Sequence, residues 1–216
     1  MQKVNFLPDS AMKGYDKTFS PNKFFFEIDC FLKIYDVVSD DGKFIPAGNY
    51  INEWCRMTDI NQRMIIVTLQ REQGLLNHKV IETIKPYWKY LIIDQATGKK
   101  RAVNVKNKNE VPKLESSEMV SQIVEMKLLD WACGCGVPDD GLNPEYKGFE
   151  KQIRCACYSY INAFKKFKKD TVKELINEPP VIAENACTYA LLCYTPHVIA
   201  GLKTKEYYER YFGDTL

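Results

Sequence analysis

Ile65-Ile66-Val67-Thr68-Leu69-Gln70-Arg71-Glu72-Gln73-Gly74-Leu75-Leu76 is an apolar run that carries a glutamate near its end, with a glycine two residues later. Ile65, Thr68, Leu69 and Glu72 fall at i, i+3, i+4 and i+7, which is one face of an α-helix. The Glu72 carboxylate is therefore expected to point the way the core-facing side chains point, while Arg71 turns to solvent. Gly74 suits a left-handed C-terminal cap, and Asn61 an N-cap, so the helix is bounded at both ends. Glu72 then sits in the last turn, near the negative end of the helix dipole. Apolar neighbours and that dipole both disfavour the ionised form, so a raised pKa is expected, as a general acid requires.

The chain around this stretch has 216 residues, 45% hydrophobic and 27% charged, which describes an ordinary globular protein rather than a disordered one. A net charge of +2 gives no argument for nucleic-acid binding. The basic run Lys165-Lys166-Phe167-Lys168-Lys169 reads as the solvated end of a helix. No stretch approaches the ~20 apolar residues of a membrane span, and the N-terminal residues show no apolar signal segment.

Eight cysteines are present: Cys30, Cys55, Cys133, Cys135, Cys155, Cys157, Cys187 and Cys193. Without a visible secretory signal, mostly buried free thiols are expected. Structural zinc is the alternative, but Cys133/Cys135 and Cys155/Cys157 are spaced C-x-C, not the C-x₂₋₄-C of zinc sites. No metal and no cofactor is expected.

Periodicity predicts further helices over 22–35, begun by Ser20-Pro21, over 48–56, 115–131 and 150–168, and a last apolar helix over 183–193. Residues 39–43 read as a turn. Residues 77–112 change character: 87–94 is aromatic and β-branched, 97–100 is a turn, and 101–106 alternates polar and apolar. That reads as a β-hairpin or small sheet inserted between helices. The expected fold class is α+β, mainly α, one domain over 1–216 with an N-terminal helical segment over 1–50.

Several boxes resemble one family. Leu69-Gln70-Arg71-Glu72-Gln73-Gly74-Leu75 resembles the L-Q-[KR]-E-Q-[SG]-L box of bacterial and phage cell-wall lytic enzymes with a lysozyme-like fold, the goose-type lysozyme and lytic transglycosylase group, with glucosaminidase-type domains. Ile60-Asn61 is similar to the I-N-P before that box, with Gln62 in place of the proline. Trp131-Ala132-Cys133-Gly134-Cys135-Gly136-Val137-Pro138-Asp139 resembles A-x-G-x-G-C-P-D. Its cysteines are placed differently, which weakens any disulfide carried over from secreted relatives. Tyr146-Lys147-Gly148-Phe149-Glu150-Lys151-Gln152 resembles Y-x-G-F-x-x-Q, and the run from Asn185 to His197 resembles N-A-A-T-x-A-L-Y-x-Y-T-P-H.

The resemblance implies a lysozyme-like fold that cleaves peptidoglycan glycan strands as a muramidase, glucosaminidase or lytic transglycosylase. Glu72 would be the catalytic acid. A two-carboxylate hydrolase also needs a second acid, for which Asp94 and Asp139 are the candidates; a transglycosylase needs Glu72 alone. Gln73, Asp139, Tyr146, Gln152, Tyr194 and His197 are the expected substrate-binding residues. The implied setting is a phage or prophage lysin, made in the bacterial cytoplasm without a signal peptide, or a component of a phage particle. The partner is peptidoglycan, with no nucleic acid and no membrane span, and a monomer is expected. The alternative is a non-catalytic peptidoglycan-binding or structural particle protein on the same fold.

Overall fold

The computed structural model describes residues 1–38, 42–77, 85–137 and 142–213. Its secondary structure is mixed and mainly helical, 44% helix against 20% strand. Most of the quoted stretch, up to Gln73, lies in α4, Gln62–Gln73, and five other helices pack against it. Asn61 caps its start by accepting from the Arg63 amide, and Gly74 closes its end at φ 63°, with its amide donating to the Gln70 carbonyl. Gly74 is needed there because the left-handed region is strained for residues with a Cβ.

The helix is buried on all sides rather than on one. Met64, Ile65, Ile66, Val67 and Leu69 have no exposed surface, and Gln62, Thr68 and Gln70 are buried with them. Such a helix is the axis of a core, not its wall. The buried polar groups find partners: the Thr68 hydroxyl meets the Tyr160 hydroxyl at 2.8 Å, and Gln70 Oε1 accepts from the Leu76 amide at 3.0 Å. Around α4 lie α1 (Asp9–Met12), α2 (Pro21–Glu27), α3 (Ala47–Thr58), α5 (Phe149–Lys166) and α7 (Val198–Phe212). Helix α6, Ala186–Tyr194, lies against α5.

Among the described residues, three small sheets border this body. β1 (Gln2–Val4) runs parallel to β8 (Val181–Ala183), which pairs antiparallel with β7 (Thr171–Lys173). β2 (Asp36–Val38) and β3 (Phe44–Pro46) form a hairpin. The third sheet, in the order β5-β4-β6, is antiparallel throughout: Lys100–Val105, Tyr87–Asp94 and Glu118–Met126. Its core of Tyr90, Ile92 and Val105 is separate from the main one.

The chain differs from its sequence reading in four places. The predicted helix over 22–35 stops at Ile28, because Asp29 adopts φ 55°, and resumes as a 3₁₀ turn at Phe31–Ile34. Residues 115–131 form strand β6 and a 3₁₀ turn instead of a helix, so the β region runs to Met126 rather than to 112. A bulge at Ser121 explains the misreading. It leaves Val120 opposite Ile92 and Ile123 opposite Tyr90, on the same face but three residues apart, a spacing that imitates a helix. The apolar run from 183 enters as strand β8 and becomes helical only at Ala186, where Asn185 accepts from the Thr188 amide. The aromatic tail forms α7, a helix the sequence reading did not assign. The predicted turn over 39–43 falls largely on residues 39–41, outside the described residues.

Among the described residues no helix is long and apolar enough to cross a membrane. Asn61→Ala removes both the cap of α4 and the 3.4 Å bond from Asn61 Nδ2 to the Ser10 carbonyl. It is expected to lower the unfolding free energy by about 1 kcal/mol, the usual weight of an N-cap, as read by urea denaturation.

Candidate active site

Glu72 stands on the last turn of α4 with its side chain 24% exposed, so the carboxylate reaches the surface from a buried helix. Its immediate surroundings are not the apolar ones expected. Arg71, predicted to face solvent, is only 5% exposed and turns inward. Its Nε donates to Glu72 Oε1 at 3.0 Å, and its Nη2 donates to the same oxygen. Nη1 donates to Thr204 on α7 at 2.9 Å, and Nη2 to Thr195 just after α6 at 3.1 Å. The guanidinium lies over the Tyr194 ring, 5.5 Å from its centroid. One carboxylate oxygen is thereby fixed, and the other, Oε2, has no donor among the described residues.

Oε2 faces the glycine-rich loop. Gly134 adopts φ 75°, and a Cβ built there would lie 2.8 Å from Oε2. The left-handed backbone strains any residue with a Cβ, and a Cβ there would also press on the Glu72 carboxylate. The loop continues into the wall of a cleft of about 500 Å³, lined by Gly134, Cys135, Asn143, Tyr146, Ser159 and Tyr194 among others. Glu72 is not itself a lining residue of that cleft. It adjoins it through Gly134.

The loop is held from behind by α5. Gln152 is fully buried; its Oε1 accepts from the Cys133 and Cys135 amides at 3.1 and 3.0 Å. Its Nε2 donates to the Cys135 and Tyr146 carbonyls at 2.8 and 2.7 Å. A Cys135–Cys155 disulfide adds a covalent tie between the same loop and the same helix. Tyr194 stacks on Tyr160, ring centroids 4.6 Å apart, and donates to the Cys133 carbonyl at 2.6 Å. Burial pushes the Tyr160 hydroxyl up to about 12, so it stays neutral and serves as a hydrogen-bonding spacer.

The expected site residues therefore separate. Tyr146 and Tyr194 line the cleft beside Glu72's loop, with Tyr146 39% exposed and packed against Gly136. Gln73 is turned to the Trp131 carbonyl at 3.1 Å and braces the end of α4. Gln152, expected to contact substrate, has no exposed surface and is a structural bracket. His197 is paired through Nδ1 with Glu178 at 2.8 Å at the start of α7, and is not among the described lining residues. Asp94 closes the β4–β5 turn, where its Oδ1 accepts from the Ala96 and Thr97 amides. Those bonds, the Ala96 amide foremost, hold its carboxyl below the usual range, which describes a turn residue rather than an acid catalyst. Asp139 lies outside the described residues.

The sequence reading missed three contributors: Arg71, the Cys135–Cys155 pair, and Gly134 as the neighbour of Glu72. The signal for Gly134 was present in its box. Arg71 was misread because neighbours i and i+1 on a helix do not normally face each other. Six of the eight cysteines are free, five of them buried. Burial pushes the Cys55, Cys133 and Cys187 thiols up, so they remain protonated and unreactive in the fold.

Thiol titration of the denatured chain without reductant is expected to find six groups, and all eight after reduction. Eight without reductant would show that the loop is not tied to α5. Gln152→Leu strands the buried Cys133 and Cys135 backbone groups. It is expected to cost at least about 2 kcal/mol of stability in denaturant unfolding, since each buried group left unpaired costs about 1–3 kcal/mol.

No protein-family model, no curated protein and no solved structure matches this chain.

Proposed function

We propose that this chain cleaves the glycan strand of peptidoglycan on a lysozyme-like fold, with Glu72 as the general acid. The observation that carries the reading is the apposition of Glu72 Oε2 and Gly134: a carboxylate oxygen is aimed at a loop residue whose left-handed backbone favours glycine and which walls a cleft. Tyr146, 39% exposed at the cleft, offers the aromatic surface on which a sugar ring stacks.

The division of labour between the two oxygens supports the chemistry. Arg71 occupies Oε1, so the proton to be donated belongs on Oε2, the oxygen nearest the cleft wall. Donation to the leaving glycosidic oxygen leaves a carboxylate, and the Arg71 guanidinium stabilises that conjugate base. The same carboxylate can then accept a proton in a second step, as a transglycosylase requires of a single acid. The two-carboxylate hydrolase route would need Asp139, because Asp94 is committed to its turn.

The Arg71 pairing also favours a second reading, in which Glu72 is a structural counter-ion and the cleft holds glycan without cutting it. Glu72→Gln separates the two. The amide keeps the shape and a hydrogen-bonding oxygen but cannot supply the proton. Clearing of purified cell walls is expected to fall by about 10²–10⁴-fold, the usual share of general acid catalysis, while the protein still sediments with the walls. Unchanged clearing by a folded Glu72→Gln protein would overturn the proposal. Anhydro-sugar ends among the products, read by mass spectrometry, would assign the transglycosylase route. Reducing ends together with loss of activity in Asp139→Asn would assign the hydrolase route.

A further inference from the structure

The cleft beside Gly134 does not end at the disulfide. A second groove of about 410 Å³ continues across the outer face of α5 and shares Tyr146, Cys155 and Ser159 with the first. Its floor is a stripe of Lys151, Arg154, Cys155, Tyr158, Ser159 and Asn162, at i, i+3, i+4, i+7, i+8 and i+11, one face of the helix. That face runs about 16 Å along the axis at 1.5 Å per residue.

The chemistry of the stripe is cationic and aromatic. Neither Lys151 nor Arg154 has an ion-pair partner among the described residues, whereas neighbouring Lys147 is paired with Asp130 at 3.5 Å. Arg154 is nonetheless fixed in place: its guanidinium lies over the Trp54 ring, 5.7 Å from the centroid. Tyr158 meets the same ring edge-on at 5.8 Å and is 46% exposed. A guanidinium held against an aromatic face with its donors unused is ready to bind a carboxylate without ordering a flexible side chain. Glu145 on the rim is the opposing charge, and leaves the groove net positive.

We propose that this groove binds the carboxylate-bearing part of a glycan, with Arg154 and Lys151 as its anion contacts and Tyr158 as a stacking surface. The inference rests on the reading of the adjoining cleft as a peptidoglycan site. It adds that the ligand crossing Tyr146 must carry acidic groups. In peptidoglycan these are the lactyl carboxylate of the muramic acid unit or the carboxylates of its stem peptide.

The test is calorimetric titration of the full chain carrying Glu72→Gln, so that no ligand is consumed. The probes are a soluble fragment of alternating N-acetylglucosamine and N-acetylmuramic acid, with and without stem peptides, and a neutral N-acetylglucosamine oligomer of equal length. The acidic fragment is expected to bind more tightly than the neutral one and to weaken as salt rises. Adding Arg154→Gln is expected to weaken binding of the acidic fragment roughly tenfold or more, the weight of one hydrogen bond to a charged group. Lys151→Gln is expected to act in the same direction, and the neutral oligomer should be indifferent to both. Loss of binding on removing the stem peptide assigns the carboxylates to the peptide; retention assigns them to the muramic acid. Equal binding of acidic and neutral probes, or no effect of either substitution in proteins that melt like the parent, would overturn the proposal. Binding is read apart from cleavage: a chain that binds the acidic fragment through Arg154 yet never cuts walls leaves the groove standing and removes the enzymatic reading.

Discussion

A guanidinium taken out of water costs several kcal/mol unless protein acceptors replace the solvent. Arg71 is such a cation, and what surrounds it organises the site. Glu72 from its own helix, Thr195 at the end of α6, Thr204 on α7 and the face of Tyr194 all converge on it. Removing any of these acceptors leaves a buried charge short of a partner, so the three helices are obliged to meet where they do. The carboxylate of Glu72 is consequently not free to swing. It is oriented by a group that cannot lose its proton, and only Oε2 is left to face outward.

The opposite wall is fixed by a different device. The segment from Cys133 to Gly136 is too rich in glycine to hold a shape unaided, and α5 supplies the shape. Gln152 uses both ends of its amide against the backbone of that loop, and Cys155 bonds to Cys135. Gly134 is thereby held where a Cβ would fall 2.8 Å from Glu72 Oε2. The braced loop thus forms one edge of the cleft, and the end of α4 stands directly behind it. This is the preorganisation that acid catalysis on a sugar chain would need.

Much of this was legible in the sequence, and the failures have physical causes. The start and end of α4 could be read because Asn61 and Gly74 act locally, through one side chain and one backbone conformation. Its burial on every side could not, because that depends on how many helices surround it. Strand β6 was misread because a bulge put Val120 and Ile123 on one face at a helical spacing. Glu72 was legible as a carboxylate near a core face, but its guanidinium neighbour was not. The inward turn of Arg71 is set by threonines more than a hundred residues away in sequence. Gln152 was singled out correctly as a residue of consequence and given the wrong role. A box pattern marks a residue type without saying whether it faces a ligand or the backbone behind it. Cysteine spacing gave no sign of the Cys135–Cys155 pair, which joins a loop to a helix.

The central claim, that glycan lies across the Gly134 edge of the cleft with its scissile oxygen at residue 72, is most directly tested by a crystal structure. The Glu72→Gln chain would be soaked with a peptidoglycan glycan fragment. A glycosidic oxygen within hydrogen-bond reach of the residue 72 amide, about 2.6–3.2 Å, and a sugar ring against Tyr146 are expected. A glycan bound elsewhere, with residue 72 still directed only at Arg71, would contradict it.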